Sequence, residues 1–222
     1  VIMYPDMNPF IQPGEREGEA SGPLVEWISR VAGEAGVSLV WKGPVPRARI
    51  LAELETGVEA CHPNARLTEQ REGKFKFSAP LFPPPRWRVL TRRGSQVEAF
   101  ASASDLLRDQ SLVLGHMLGA TMGPELDDIL AQRKGNTLAV RGSPLDLLRL
   151  LRAGRIDYLV ADMTAIPADR GNVSFSTDDL RELQFADLPE ADAGRIMCSL
   201  SVPDQVIERL NRAIEEVQRT SP

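Results

Sequence analysis

At 222 residues, 42% apolar and 26% charged, the chain is that of a folded protein with room for one large domain or two small lobes. Its formal net charge of −5, with basic residues scattered among acidic ones and few aromatics, argues against a nucleic-acid surface. No apolar run approaches the roughly 18 residues that cross a bilayer, and two cysteines are too few for a disulfide framework.

The predicted elements begin with a short strand at "VIMYP". The stretch "DMNPFIQPGEREGEASG" that follows is rich in turn formers and charge and reads as a surface loop. "PLVEWISRVAGEAG" places apolar residues at 24, 25, 28 and 31 behind Pro23 and predicts an amphipathic helix, with "VSLVW" as the next strand. After the turn "KGPVP", "RARILAELETG" is a second helix closed by Gly57, and "VEACH" is the strand leaving it. Strands alternating with helices of this length favour mainly parallel sheets covered on both faces, with binding groups in the loops at the strand ends.

The second half repeats the plan. "SLVLGHM" predicts a strand, "GATMGPELDDILAQR" a Gly-rich entry into a helix, "NTLAVR" a strand, "SPLDLLRLLRAG" a helix capped at both ends and "RIDYLVAD" a strand. "LAELETGVEACHPN" and "LRLLRAGRIDYLVAD" share one order of apolar helix, closing glycine, acidic residue and strand, which implies two lobes of similar construction. "PLFPPPRWRVLTRRGSQ" and "FADLPEADAGRIMCSLS" are the two connections between them. "PDQVIERLNRAIEEVQR", apolar at 206, 207, 210, 214 and 217, is a last helix that returns to the first lobe. The expected division is 1–90 with 192–222 as lobe 1 and 91–191 as lobe 2. Cys61 and Cys198 are either bridged, in an oxidising compartment, or two buried thiols.

Four stretches carry a resemblance to a known family. "GVEACHPNARLTEQREGKFKFSAPL", with its Thr-x-x-Arg and Phe-Ser-x-Pro, "PVPRARILAELETG", "LGATMG" and "GRIDYLVAD" follow in the same order as in the solute-binding proteins of bacterial ABC importers, family 3, typified by polar amino-acid binders. The resemblance spans about residues 3 to 217. It implies an α/β, two-lobed fold of the type II periplasmic-binding kind. In that fold each lobe is a mainly parallel sheet flanked by helices, the lobes are joined by two hinge crossings, and they close on a solute in the cleft between them.

By itself Arg71 is either a surface charge or an anion anchor; the resemblance makes it the arginine that grips a ligand carboxylate, a task suited to the guanidinium fork. It also assigns Gly119, Ala120 and Thr121 to a helix entry whose amide groups face the same carboxylate, and Asp162 to a ligand ammonium. Other expected contacts are Met7, with Tyr4 and Phe10 near it, in the position of the family's stacking aromatic, and His62, Asn64 and Arg66 before the turn. The chain departs from the family where Arg47 replaces an aromatic before Arg49, where Asn64 and Arg66 replace small hydroxylated residues, and where Glu59 replaces an aspartate. Arg66 with His62 beside it makes this lobe more cationic than a neutral amino acid requires, which points to an extra acidic group on the ligand; alternatively Arg66 faces solvent, and His62 and His116 are structural.

The resemblance further implies an exported, periplasmic protein whose leader is not within these residues. It would work as a monomer, without cofactor or metal, bind a small-molecule ligand and deliver it to a membrane permease. Two other classes stay open: the sensor domain of a membrane receptor, and a binding-fold enzyme of the cyclohexadienyl dehydratase kind. No Ser-His-Asp set or phosphate loop is present in the sequence.

Overall fold

Helix and strand boundaries follow the periodicity closely where a glycine closes the helix. The computed structural model describes residues 1–84, 86–133, 136–162, 179–190 and 192–220. In chain order the strands and α-helices of the first stretch are β1 (Ile2–Met3), β2 (Gln12–Pro13), β3 (Ala20–Ser21), α1 (Pro23–Glu34), β4 (Trp41–Lys42), α2 (Arg47–Glu55), β5 (Cys61–Ala65) and β6 (Lys76–Pro80). Then come β7 (Trp87–Arg92), α3 (Ala103–Arg108), β8 (Leu114–Met117), α4 (Pro124–Gln132), β9 (Thr137–Val140), α5 (Pro144–Arg152), β10 (Tyr158–Asp162), β11 (Leu180–Leu183), β12 (Arg195–Cys198) and α6 (Asp204–Thr220). Contacts divide the chain into two units, Val1–Pro84 with Asp192–Pro222, and Pro85–Ala191.

The first unit is a five-stranded sheet in the order β4-β1-β5-β12-β6. The three strands linked through helices are parallel, and β12 and β6 run antiparallel to their neighbours. Alternation along the strands sends side chains to two cores. Ile2, Tyr4, Ile196 and Cys198 pack on one face beneath α1 and α6, while Met3, Ala65 and Met197 pack on the other with Ile50 and Leu54 of α2. On α6 the buried residues are Ile207, Leu210, Ala213, Ile214 and Val217, the spacing of a single helix face.

The second unit repeats the design as β11-β7-β10-β8-β9. Trp87, Val89, Tyr158 and Val160 face a core shared with α3 and α4, and Leu90 and Leu159 face the one under α5. The stretch predicted as an extended connection, "WRVLT", is therefore an inner strand, paired antiparallel with both β10 and β11.

α2 and α5 end alike. Gly57 and Gly154 take φ of +83° and +68°, where a Cβ would be strained, and donate to Leu54 O and Leu151 O at 3.1 Å each. The next residues, Val58 and Arg155, reach back to Glu53 O and Leu150 O. Because Val58–Ala60 complete this closure, the strand predicted at 58–62 starts only at Cys61. Ser143 and Asp146 form a capping box at the other end of α5.

Three further expectations change. Residues 6–22 are not a plain loop: β2 and β3 pair as a small antiparallel ribbon and Ile11 is buried in the core. The strand predicted over 37–41 shortens to Trp41–Lys42. Cys61 and Cys198, opposite one another across β5 and β12, are joined by a disulfide, which resolves the alternative left open by the sequence. Among the described residues no helix is long and apolar enough to cross a membrane.

Candidate functional site

The turn after β5 is built around Thr68 and Arg71. Thr68 O accepts the N–H of Arg71 at 2.9 Å and of Glu72 at 3.0 Å, which closes the Thr-x-x-Arg segment as a helical turn. The half-buried Arg71 side chain is held by its own chain: Nη1 donates to Arg66 O at 2.9 Å. A guanidinium held in this way keeps the planar geometry that suits a carboxylate. Arg66 in turn uses Nε to bind Asp192 O at 3.2 Å, tying this turn to the segment that leads into β12. Its backbone and side chain thus serve the local framework.

Ahead of the turn, His62 is buried on β5 and its Nδ1 accepts the Asn64 N–H at 3.1 Å. Burial, reinforced by the Arg47 and Arg71 guanidiniums, pushes its pKa down to about 3. The imidazole is neutral near pH 7, so the expectation that His62 makes this lobe more cationic is corrected: burial between charges of like sign excludes the second proton. Asn64 lies over Gly194, where a Cβ would come within 1.8 Å of Asn64 Oδ1. Glu59 is exposed.

The Phe-Ser-x-Pro stretch has a structural task. β12 is irregular between Arg195 and Met197, and the buried Ser78 of β6 bridges the irregularity by accepting the Ile196 N–H at 3.0 Å on its hydroxyl. Arg195 Nη1 donates to Ser78 O at 3.0 Å.

In the amino-terminal segment Tyr4 is buried edge-to-face on Trp41, ring centroids 6.0 Å apart, and burial raises its phenol pKa above the ordinary value. Met7 bridges to Ile11, and both Met7 and Phe10 pack partly against the core of the first unit. Tyr4, Asp6, Asn8, Gln12 and Pro44 line a cavity of about 300 Å³ in this unit. Asp6 and this cavity carry no sequence signal of their own; they emerge from the folding of residues 6–22 against the turn at 43–46.

In the second unit, Gly119 and Ala120 are exposed in a turn, with Ala120 N–H bonded to Met117 O at 3.2 Å. Helix α4 begins only at Pro124 behind Gly123, so the expectation that Gly119–Thr121 enter the helix is corrected: Gly119 and Gly123, both at positive φ, interrupt it. The Thr121 hydroxyl instead donates to the Asp127 carboxylate and accepts the Gly123 N–H at 3.1 Å, and Asp127 also takes the Met122 N–H at 2.8 Å. Asp127 thus places this helix's own negative charge at its amino end, a role that the run "PELDD" leaves ambiguous. His116 lies on β8, half-buried. Asp162 closes β10 opposite Trp87, and its side chain lies outside the described set.

The sequence matches no protein-family model and no curated protein. Solved structures do resemble it. An ancestral arginine-binding protein bound to glutamine superimposes with a TM-score of 0.72 at 20% identity, over 99% of this chain and 91% of the other. The chain has the two-lobed α/β fold of such binding proteins. An amino acid ABC transporter substrate-binding protein from Streptococcus pneumoniae, bound to L-arginine, gives 0.73 at 18% identity over 99% and 88% of the two chains. The ancestral amino-acid-binding protein AncCDT-1, a precursor of cyclohexadienyl dehydratase, gives 0.73 at 17% identity over 99% and 88%.

Proposed function

We propose that the protein is the solute-binding component of an ABC-type importer and captures a small carboxylate-bearing solute, an amino acid or a related polar acid, with Arg71 as the acid anchor. The observation that carries this reading is Arg71 itself. It stands in a closed Thr-x-x-Arg turn, its guanidinium oriented by the Arg66 carbonyl, in a chain that shares almost its whole length with amino-acid binding proteins. A planar donor held before the ligand arrives loses little freedom on binding. The solute would then pass to a membrane permease from an exported, monomeric, periplasmic protein.

The reading requires no bond making. Thermal unfolding of the protein against a panel of amino acids and organic acids tests the reading, because a ligand of the folded state raises apparent stability. At least one carboxylate in the panel is expected to raise the melting temperature; a panel without any shift, together with turnover of a prephenate-like acid, would reverse the assignment.

A further inference from the structure

β5 and β12 fall out of step at the end of β5. Between Arg195 and Met197 β12 counts two steps, while between Ala65 and His62 β5 counts three, so β5 carries a bulge at residues 63–64. A bulge leaves backbone groups outside the regular ladder. Here the Asn64 N–H finds its acceptor in a side chain, His62 Nδ1, at 3.1 Å. A neutral imidazole accepts at one nitrogen and donates from the other. With Nδ1 engaged as the acceptor, the proton sits on Nε2, and the backbone of the bulge fixes that tautomer.

That Nε2–H is an unused donor. His62 is 7% exposed, so nearly the whole ring is withdrawn from water, and Nε2 makes no hydrogen bond with a described residue. It is nevertheless not sealed. Arg133 Nε and Arg195 Nε are shut off from solvent without a partner, but His62 Nε2 is not among such atoms and so reaches the surface. A donor on a ring already held in place loses little freedom on meeting an acceptor, and a guest without an acceptor leaves it unsatisfied. The ring also lies close to the anion anchor. Its bond draws it along the chain to Asn64, and two residues further on Arg66 O holds the Arg71 guanidinium at 2.9 Å. At strand spacing these two holding points are at most about 7 Å apart along the chain, a span that a solute of amino-acid size covers.

Resting on the solute-binding reading, we propose that His62 is a specificity-determining residue: with the solute's carboxylate on Arg71, His62 Nε2–H donates to an oxygen on the solute's side chain. Amino acids whose side chains carry an oxygen acceptor are then selected over hydrocarbon ones of the same shape, which leave the donor bare. They are also selected over arginine and lysine, whose side chains are donors only, so attraction and exclusion come from the same group. Burial and the neighbouring guanidiniums keep the imidazole neutral near pH 7, which keeps Nδ1 an acceptor and the tautomer unchanged.

Calorimetric titration with pairs of equal shape tests this: threonine with valine, asparagine with leucine, and glutamine with homoleucine, together with arginine and lysine. In at least one pair the oxygen-bearing member should bind about 5- to 150-fold more tightly, the range set by leaving a buried donor unsatisfied, and arginine and lysine should bind no better than the hydrocarbon members. His62→Asn, whose short side chain still offers an acceptor to the Asn64 N–H but places no donor at the position of Nε2, should bring that ratio to near one. His62→Gln, whose amide nitrogen reaches that position, should keep part of it. Nitrogen NMR of the imidazole should show Nε2 protonated and Nδ1 bare in the protein alone, and the Nε2 signal should move when the preferred amino acid is added; this carries the test if neither variant folds. Equal affinities within every pair, a preference that His62→Asn leaves intact, or an Nε2 signal unmoved by a bound solute would overturn the assignment of His62 while Arg71-dependent binding stood. Binding of an organic acid but of none of these amino acids would do the same. Failure of every carboxylate to bind would overturn this proposal and the solute-binding reading together.

Discussion

Cys61 and Cys198 occupy directly opposed positions on β5 and β12 and are linked across a sequence separation of 137 residues. The bond fastens the strand that precedes the Arg71 turn to the strand that follows the return of the chain to the first unit. Closing so long a loop in the unfolded chain favours the folded state by about 2–5 kcal/mol. Cys61→Ser, or reduction by dithiothreitol, should lower the unfolding free energy in urea by that amount. Identical urea midpoints with and without reductant would contradict the bridge.

His62 predicts how stability depends on pH. Its pKa is about 3 in the folded protein against 6.5 unfolded, so between those values the unfolded chain binds the extra proton and stability falls as pH falls. The limiting slope is about 1.4 kcal/mol per pH unit. Between pH 6.5 and 5, before the carboxylates titrate, the protein should lose about 1–2 kcal/mol of unfolding free energy, and His62→Gln should flatten that stretch. A wild-type curve already flat over this interval would mean that the imidazole is not buried in its neutral form.

Gly194 is packed against the Asn64 side chain too closely for any Cβ. Gly194→Ala should therefore destabilise the protein by about 1–3 kcal/mol, as overpacking does. Asn64→Ala in the same chain should restore most of the loss, since the two sites are in contact and couple. A double variant as unstable as the sum of the single ones would place the strain elsewhere.

How much of this was legible beforehand depends on the scale of each feature. α1, α5 and α6 announce themselves through apolar spacing over more than two turns, and Gly57 and Gly154 mark helix ends because their backbone conformation demands it. The Thr68–Arg71 turn was readable as a motif. Two-residue strands were not: Gln12–Pro13 and Ala20–Ser21 are too short for alternation to register and contain a proline that argues against a strand. α3 and β11, six and four residues long, escaped for the same reason. The charge states escaped too. His62 beside an arginine reads as a second cation in one dimension, and burial with two guanidiniums acting on it keeps it neutral far into the acid range.

Whether Arg71 grips a carboxylate is read by calorimetry on the solute that gives the largest melting shift. Arg71→Lys should weaken binding by about 1.5–3 kcal/mol, the worth of a hydrogen bond to a charged group, and Arg71→Ala should abolish detectable binding while the urea midpoint stays close to that of the wild type. An Arg71→Ala protein that folds and binds the same solute with wild-type affinity would remove Arg71 from the site and the account with it.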